Sequence, residues 1–212
     1  MQGVIQIFFG SLVLSILHAS IPNHWLSLVA IGKIEKWTRK ETLAVTAISG
    51  FAHTLSTIII GMIVGIIGYK LSKSYRFITT IAATIILIAL GSIYLFIYFR
   101  ENKHYHQNHH IDIDSNIKKK KKTAIVLSLA VGMFFSPCIE IEAYYFVASS
   151  LGWLGILIVS FVYLFVTVGG MLLLVYSAYK GIAKLKWHFM EHHERLVSGI
   201  VLIILGIVGF LI

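Results

Sequence analysis

The sequence predicts an all-α membrane protein. Six transmembrane helices form two inverted three-helix repeats, with the first and fourth helices broken at proline. Three observations carry this expectation. The 212 residues are 58% hydrophobic and only 13% charged, whereas soluble domains hold roughly half and about a quarter. At about 20 apolar residues per span, the apolar total supplies about six spans. The only two prolines, Pro22 and Pro137, both interrupt apolar runs and lie 115 positions apart. Lys and Arg, finally, gather in alternate connections. Such a composition excludes a soluble globular enzyme, a disordered chain and a disulfide scaffold. The single Cys138 excludes an internal disulfide and CxxC dithiol chemistry. Met1-Gln2-Gly3 places no basic residue before the apolar run, and no small-residue cleavage pattern follows, so no signal peptide is expected.

The first helix is expected over about Gly3 to Ile31, interrupted at Pro22. A connection with Lys33, Lys36, Arg39 and Lys40 follows. The second helix runs from about Glu41 to Tyr69, and Lys70, Lys73 and Arg76 mark a short turn. The third spans about Phe77 to Phe99. Residues 101–122 form a polar His/Lys-rich loop ending in five consecutive lysines. The fourth helix covers about Thr123 to Ser149, interrupted at Pro137, and the fifth about Trp153 to Tyr179. A basic connector with Lys180, Lys184 and Lys186 leads to the sixth, which starts near His192 or Glu194.

Six spans put both termini on one side of the membrane. The connections after helices 1, 3 and 5 then share the other side and hold fourteen Lys/Arg, against three in the remaining connections and termini. By the positive-inside rule the fourteen-residue side is cytoplasmic. Both termini are therefore expected outside, in a multi-pass protein of the cell's inner (cytoplasmic) membrane. This asymmetry also accounts for the formal charge of +9 without a nucleic-acid partner.

The chain further reads as two halves, residues 1–100 and 123–212, joined by the loop. ILIALGSIYLF in the third helix and VLIILGIVGFL in the sixth place Gly91 and Gly206 115 positions apart, the spacing of the prolines. Gly61-Met62 and Gly170-Met171 pair the second and fifth helices at a spacing of 109. Three spans per half insert the second half upside down, the inverted plan of many transporters. Proline removes a backbone donor and breaks its helix. Backbone groups freed at mid-depth must be satisfied by protein, water or ligand. Paired broken helices are thus a sequence pointer to a central binding site.

The polar residues at the breaks fit that role. The first break reads His18-Ala19-Ser20-Ile21-Pro22-Asn23-His24, and the second Ser136-Pro137-Cys138-Ile139-Glu140-Ile141-Glu142. The second helix carries His53 in Gly50-Phe51-Ala52-His53-Thr54-Leu55-Ser56. Ionisable residues at mid-membrane are costly and usually face a cavity or one another. Imidazole, thiolate and carboxylate together make a site for a divalent first-row metal, so His18, His24, His53, Cys138, Glu140 and Glu142 are the candidate metal residues. His18 and His24, six apart, do not share a face of an unbroken helix, so pairing them needs the break. Glu140 and Glu142 lie about 200° apart on an ideal helix; Glu140, nearer the break, is the better ligand candidate. Either carboxylate serves equally as ligand or as proton carrier. His104, His106, His109, His110, Asp112 and Asp114 read as a metal-collecting loop or an ordinary polar one. His188 and Glu191-His192-His193-Glu194 read as a solvated helix start.

HASIPNH resembles the first-helix signature of NicO/RcnA-type nickel–cobalt transporters: two His six apart and a Pro two before the second, matched by His18, Pro22 and His24. GFAHTLS resembles that family's second-helix Gly-x-x-x-His-[Ser/Thr] element and places His53 in it. Pro137-Cys138 is also similar to the family pattern. The resemblance implies a six-helix LysE-like fold and transport of nickel or cobalt, with zinc, iron or manganese as other cargoes of such a donor set. Permeases of this kind carry acidic residues where Ile21 and Asn23 stand. The LysE-like thiol-redox branch needs a second Cys where Asn23 stands, which argues against redox transfer.

The function expected is thus membrane transport of a divalent transition-metal ion, with no enzyme activity and no tightly bound cofactor. The cytoplasmic His loop favours efflux. Its partners are the ion and the lipid bilayer, and a homo-oligomer stays open. Alternative readings are an exporter of a non-metal small solute, a membrane di-metal hydroxylase or desaturase (from HYHQNHH and EHHE), and a membrane scaffold.

Overall fold

The computed structural model describes residues 2–101, 122–136, 138–179 and 188–210. Its elements are α1 (Gln2–Ser20), α2 (Pro22–Ile34), α3 (Arg39–Glu101), α4 (Lys122–Phe134), α5 (Ile139–Ala148), a 3₁₀ turn (Ser149–Leu151), α6 (Trp153–Tyr179) and α7 (His188–Phe210). No strand occurs among the described residues. Pro137 and the His/Asp-rich loop of residues 102–121 lie outside them, as does the basic connector of residues 180–187. The side chains of the His192-His193 group are likewise outside the description.

The first break follows from local rules. Ile21 is extended (φ −62°, ψ 120°), the conformation a residue before proline prefers. Pro22 then opens α2 at the first helical position, where its missing N–H costs nothing. The Ile21 N–H closes the end of α1 on the His18 carbonyl at 3.2 Å. The second break likewise places an extended residue ahead of a new helix. α4 stops at Phe134, Cys138 is extended (φ −103°, ψ 110°) and α5 begins at Ile139. The two helices meet at a 49° bend.

α3 starts with a capping box. Thr38 N–H donates to Glu41 Oε2 at 2.7 Å, and Glu41 N–H donates to Thr38 Oγ1 at 3.3 Å. Lys122, the first residue of α4, donates to Glu41 Oε1 at 2.5 Å and lies 5.4 Å from the Trp37 ring centre. The starts of α3 and α4 therefore sit together at one end of the bundle.

The turn expected at Lys70, Lys73 and Arg76 is not formed: helix continues through it as part of α3. The reason is local. No Gly, Pro, Asn or Asp lies between Gly68 and Gly91, and Lys, Leu and Arg are good helix formers, so charge alone does not end the helix. Nor is α3 a straight rod. At 1.5 Å per residue, Gly61 and Leu87 would stand about 39 Å apart on one. Yet Met62 and Leu87 both pack on the cluster of Ile7, Leu14, Tyr144, Tyr145 and Leu202, so α3 bends between them.

Three helical stretches among the described residues are long and apolar enough to cross a bilayer: Gln2–Ile34, Arg39–Leu71 and Trp153–Tyr179. The bent α4–α5 pair makes a fourth. Thr84–Arg100 and Leu196–Val208 are shorter apolar helices. Six full spans were expected; three or four are found among the described residues, and the stretches expected as the third and sixth helices appear as these shorter pieces. Their distribution of side chains inverts that of a soluble protein. Phe135 and Phe165 are 77% and 69% exposed, whereas Thr42, Thr46, Ser49, His53, Thr57 and Thr167 are fully buried. A water-soluble surface rarely shows a continuous apolar belt, and polar groups turned inward are what hydrocarbon surroundings demand. The chain is all-helical and compatible with a membrane protein.

The second part of α3 packs on α7 through glycines. A Cβ at Gly91 would lie 2.6 Å from the Gly199 carbonyl oxygen, and one at Gly206 would lie 2.9 Å from Ile88 and 3.3 Å from the Thr84 carbonyl oxygen. Gly91→Val is therefore expected to destabilise the fold by roughly 1–3 kcal/mol through overpacking. Gly132 in α4 has nothing within 4 Å of such a Cβ, so Gly132→Ala should be neutral or stabilising by up to about 1 kcal/mol. Thermal unfolding of the two detergent-solubilised variants checks both; equal midpoints would refute the close α3–α7 contact.

Candidate metal centre

Four of the six residues singled out from the sequence meet in the bundle interior. His18 comes from the last turn of α1, His24 from the first turn of α2, His53 from α3, and Cys138 is the residue that precedes α5. One donor atom from each lies within 4.8 Å of all the others. His18 Nε2 and His53 Nε2 are 3.1 Å apart. Cys138 Sγ is 3.3 Å from His18 Nε2 and 3.4 Å from His53 Nε2. The His24 ring centre is 4.5 Å from that of His18 and 4.9 Å from that of His53. His18, His53 and Cys138 are buried, and His24 is half-buried.

Both helix breaks build this group. On an unbroken helix, His18 and His24 would point apart. The extended Ile21 resets the direction of the chain, and the two rings come to face one another. The second break acts through the backbone. The Met133 carbonyl, in the last turn of α4, accepts from Ser136 N–H at 3.3 Å and, with its second lone pair, from His53 Nδ1 at 3.1 Å. A carbonyl only accepts, so Nδ1 carries the proton. The Nε2 lone pair is left bare, facing His18 and Cys138. This is the arrangement in which a ligand histidine is held and oriented by a backbone acceptor on its other nitrogen.

The spacing suits a cation. A tetrahedral ion with nitrogen at about 2.0–2.1 Å and sulfur at about 2.3 Å sets its donors about 3.3–3.6 Å apart. The observed separations of 3.1, 3.3 and 3.4 Å fall at or just under that range. Three neutral imidazoles and one thiolate would offset one unit of a divalent charge.

The two glutamates are not members of the group. Glu140 is half-buried and opens onto a small pocket shared with His18, Leu14, Ile21 and Ser198, so its negative charge lies beside the group. Glu142 lies one turn beyond Cys138 in the direction of Tyr145 and Gly61. Both its carboxylate oxygens are buried and have no hydrogen-bond partner among the described residues.

Tyr163 of α6 is a contributor the sequence reading missed. It is fully buried. Its hydroxyl is 3.5 Å from His53 Nε2 and also engages Cys138 and Thr57. Its ring centre is 5.6 Å from that of His18. The signal was present: Ser160, Tyr163 and Thr167 fall at i, i+3 and i+7 on an otherwise apolar helix.

The chain matches no protein-family model, no curated protein and no solved structure.

Tyr163→Phe should keep the fold and weaken binding of Co²⁺ by about tenfold, the lower end for loss of a group that supports metal ligands. Titration of the purified protein, followed by thiolate-to-cobalt absorption, checks this. Unchanged affinity would place Tyr163 outside the site's working parts.

Proposed function

We propose that this protein is a multi-pass membrane transporter of a divalent transition-metal ion and that His18, His24, His53 and Cys138 bind the ion at mid-membrane. The observation that carries the reading is the convergence of three imidazoles and one thiol from four helical segments inside an apolar bundle, with His18, His53 and Cys138 at the donor spacing of a tetrahedral ion. Such donors suit borderline and soft divalent ions. The resemblance of HASIPNH and GFAHTLS to the NicO/RcnA-type signatures favours nickel or cobalt among them. Glu140 and Glu142 place further carboxyl groups near the path.

In this reading the bundle has six spans: α1 with α2, the two parts of α3, α4 with α5, α6, and α7. The inverted repeat finds support in one pair of contacts. Adding 115 to Gly91 gives Gly206, and subtracting 115 from Gly199 gives Thr84. The close approach of Gly91 to Gly199 thus has its repeat-mate in that of Gly206 to Thr84, as a two-fold axis in the membrane plane would require. Rocking of one half against the other would expose the site to each side in turn. The Glu41–Lys122 contact supports a shared cytoplasmic face for the first and third connections, which leaves both termini outside. The orientation and the His-rich loop of residues 102–121 favour efflux from the cytoplasm across the inner membrane.

The test is metal content and flux. Purified protein incubated with Ni²⁺ or Co²⁺ and desalted should retain about one ion per chain. His18→Ala and His53→Ala should each lose it, while expressing cells lose their added tolerance to the metal. Retention of the metal by both variants, with tolerance unchanged, would refute the reading.

A further inference from the structure

The His/Cys group fills only the middle of the bundle, so an ion that reaches it must cross buried ground on either side. On the Arg39 side that ground is the α3–α6 interface. Three contacts define it: Tyr163 hydroxyl to His53 at 3.5 Å, Met171 Sδ 3.3 Å from a Cβ placed on Gly50, and Tyr179 hydroxyl to Thr42 Oγ1 at 2.8 Å. α3 and α6 are thus antiparallel, and a step back along α3 matches a step forward along α6.

Along this interface α3 presents Thr42, Thr46, Ser49 and His53, spaced i, i+4, i+7 and i+11, all fully buried. That spacing keeps them on one face. Thr42 and Thr46 turn their hydroxyl protons to carbonyls one turn back on their own helix, at 3.2 and 2.8 Å. Ser49 is different. Its hydroxyl is buried and has no hydrogen-bond partner among the described residues, and the same holds for Thr167 on α6. Ser49 lies one turn from His53, and Thr167 one turn from Tyr163, in the same direction from the contact between those two. Two unpartnered hydroxyls in one layer are unusual, because a buried polar group without a partner costs roughly 1–3 kcal/mol.

We propose that Ser49 and Thr167 form a second, weaker cation station, on the Arg39 side of the His/Cys group, where a partly dehydrated divalent ion is held by hydroxyl oxygens. The proposal rests on the transport reading above. Neutral hydroxyls bind such an ion less tightly than imidazole and thiolate do. That difference suits a step on a path, since conduction needs sites weak enough to leave. The pair would receive the ion as it enters from, or departs toward, the Thr42–Tyr179 end.

The experiment reconstitutes the full chain in lipid vesicles with Co²⁺ as probe and reads two quantities: Co²⁺ bound per chain, with its thiolate-to-cobalt absorption from Cys138, and initial Co²⁺ flux. Ser49→Ala combined with Thr167→Val should leave binding and absorption unchanged and lower flux by about tenfold, the effect of losing one modest interaction along the path. Ser49→Thr combined with Thr167→Ser keeps both hydroxyls and should retain flux within about threefold of the parent chain. Parental flux in the Ala/Val variant would overturn the proposal. So would loss of Co²⁺ binding in that variant, which would make the hydroxyls props of the His/Cys group instead of a station. A parent chain that binds no Co²⁺ would instead refute the transport reading itself, before any variant is compared.

Discussion

Near the end of α4 the Met133 carbonyl accepts from Ser136 N–H at 3.3 Å, and a carbonyl oxygen keeps a second lone pair for another donor inside the protein. His53 Nδ1 meets it at 3.1 Å. This one bond ties the break in one half of the chain to the central histidine of the other. It fixes the histidine's tautomer, and so fixes which nitrogen faces the interior. That nitrogen lies 3.1 Å from His18 Nε2 and 3.4 Å from Cys138 Sγ. Tyr163 closes the arrangement from α6. A helix break that would only weaken a soluble bundle here supplies the acceptor that orients the site.

The surrounding fold serves the same constraint. Apolar side chains face outward along the long helices, and the hydroxyls of α3 face inward, mostly bonded to carbonyls of their own helix. Glycines let α3 and α7 approach backbone to backbone, a mode of association common among helices that cannot rely on the hydrophobic effect between them. Such tight contacts leave few ways for α3 and α7 to slide past one another. Movement is expected at the breaks and at the bend in α3 and not within the helix pairs.

Much of this was legible in the sequence, because the signals were strong and local. Pro22 dictates an extended Ile21 and a new helix start, and composition alone demands apolar helices. Histidines six apart are uninformative on a helix but meaningful across a break, so His18, His24 and His53 could be grouped before any coordinates. Other features depended on packing that local sequence does not encode. Lys70, Lys73 and Arg76 suggested a turn, yet nothing there breaks a helix, and α3 runs on. The facing of Glu140 and Glu142 was uncertain because the geometry at the second break decides it; neither joins the donor group, and Glu140 opens beside it. Tyr163 escaped notice because a single tyrosine among Phe, Val and Leu looks like core until its partners across the interface are known.

The central claim is that three imidazoles and one thiol hold a single divalent ion in tetrahedral geometry. X-ray absorption spectroscopy on the Co²⁺-loaded protein tests it most directly. The account predicts four donors, with three nitrogens at about 2.0–2.1 Å and one sulfur at about 2.3 Å, and loss of the sulfur shell in Cys138→Ser. A six-coordinate shell of oxygen and nitrogen with no sulfur would contradict it.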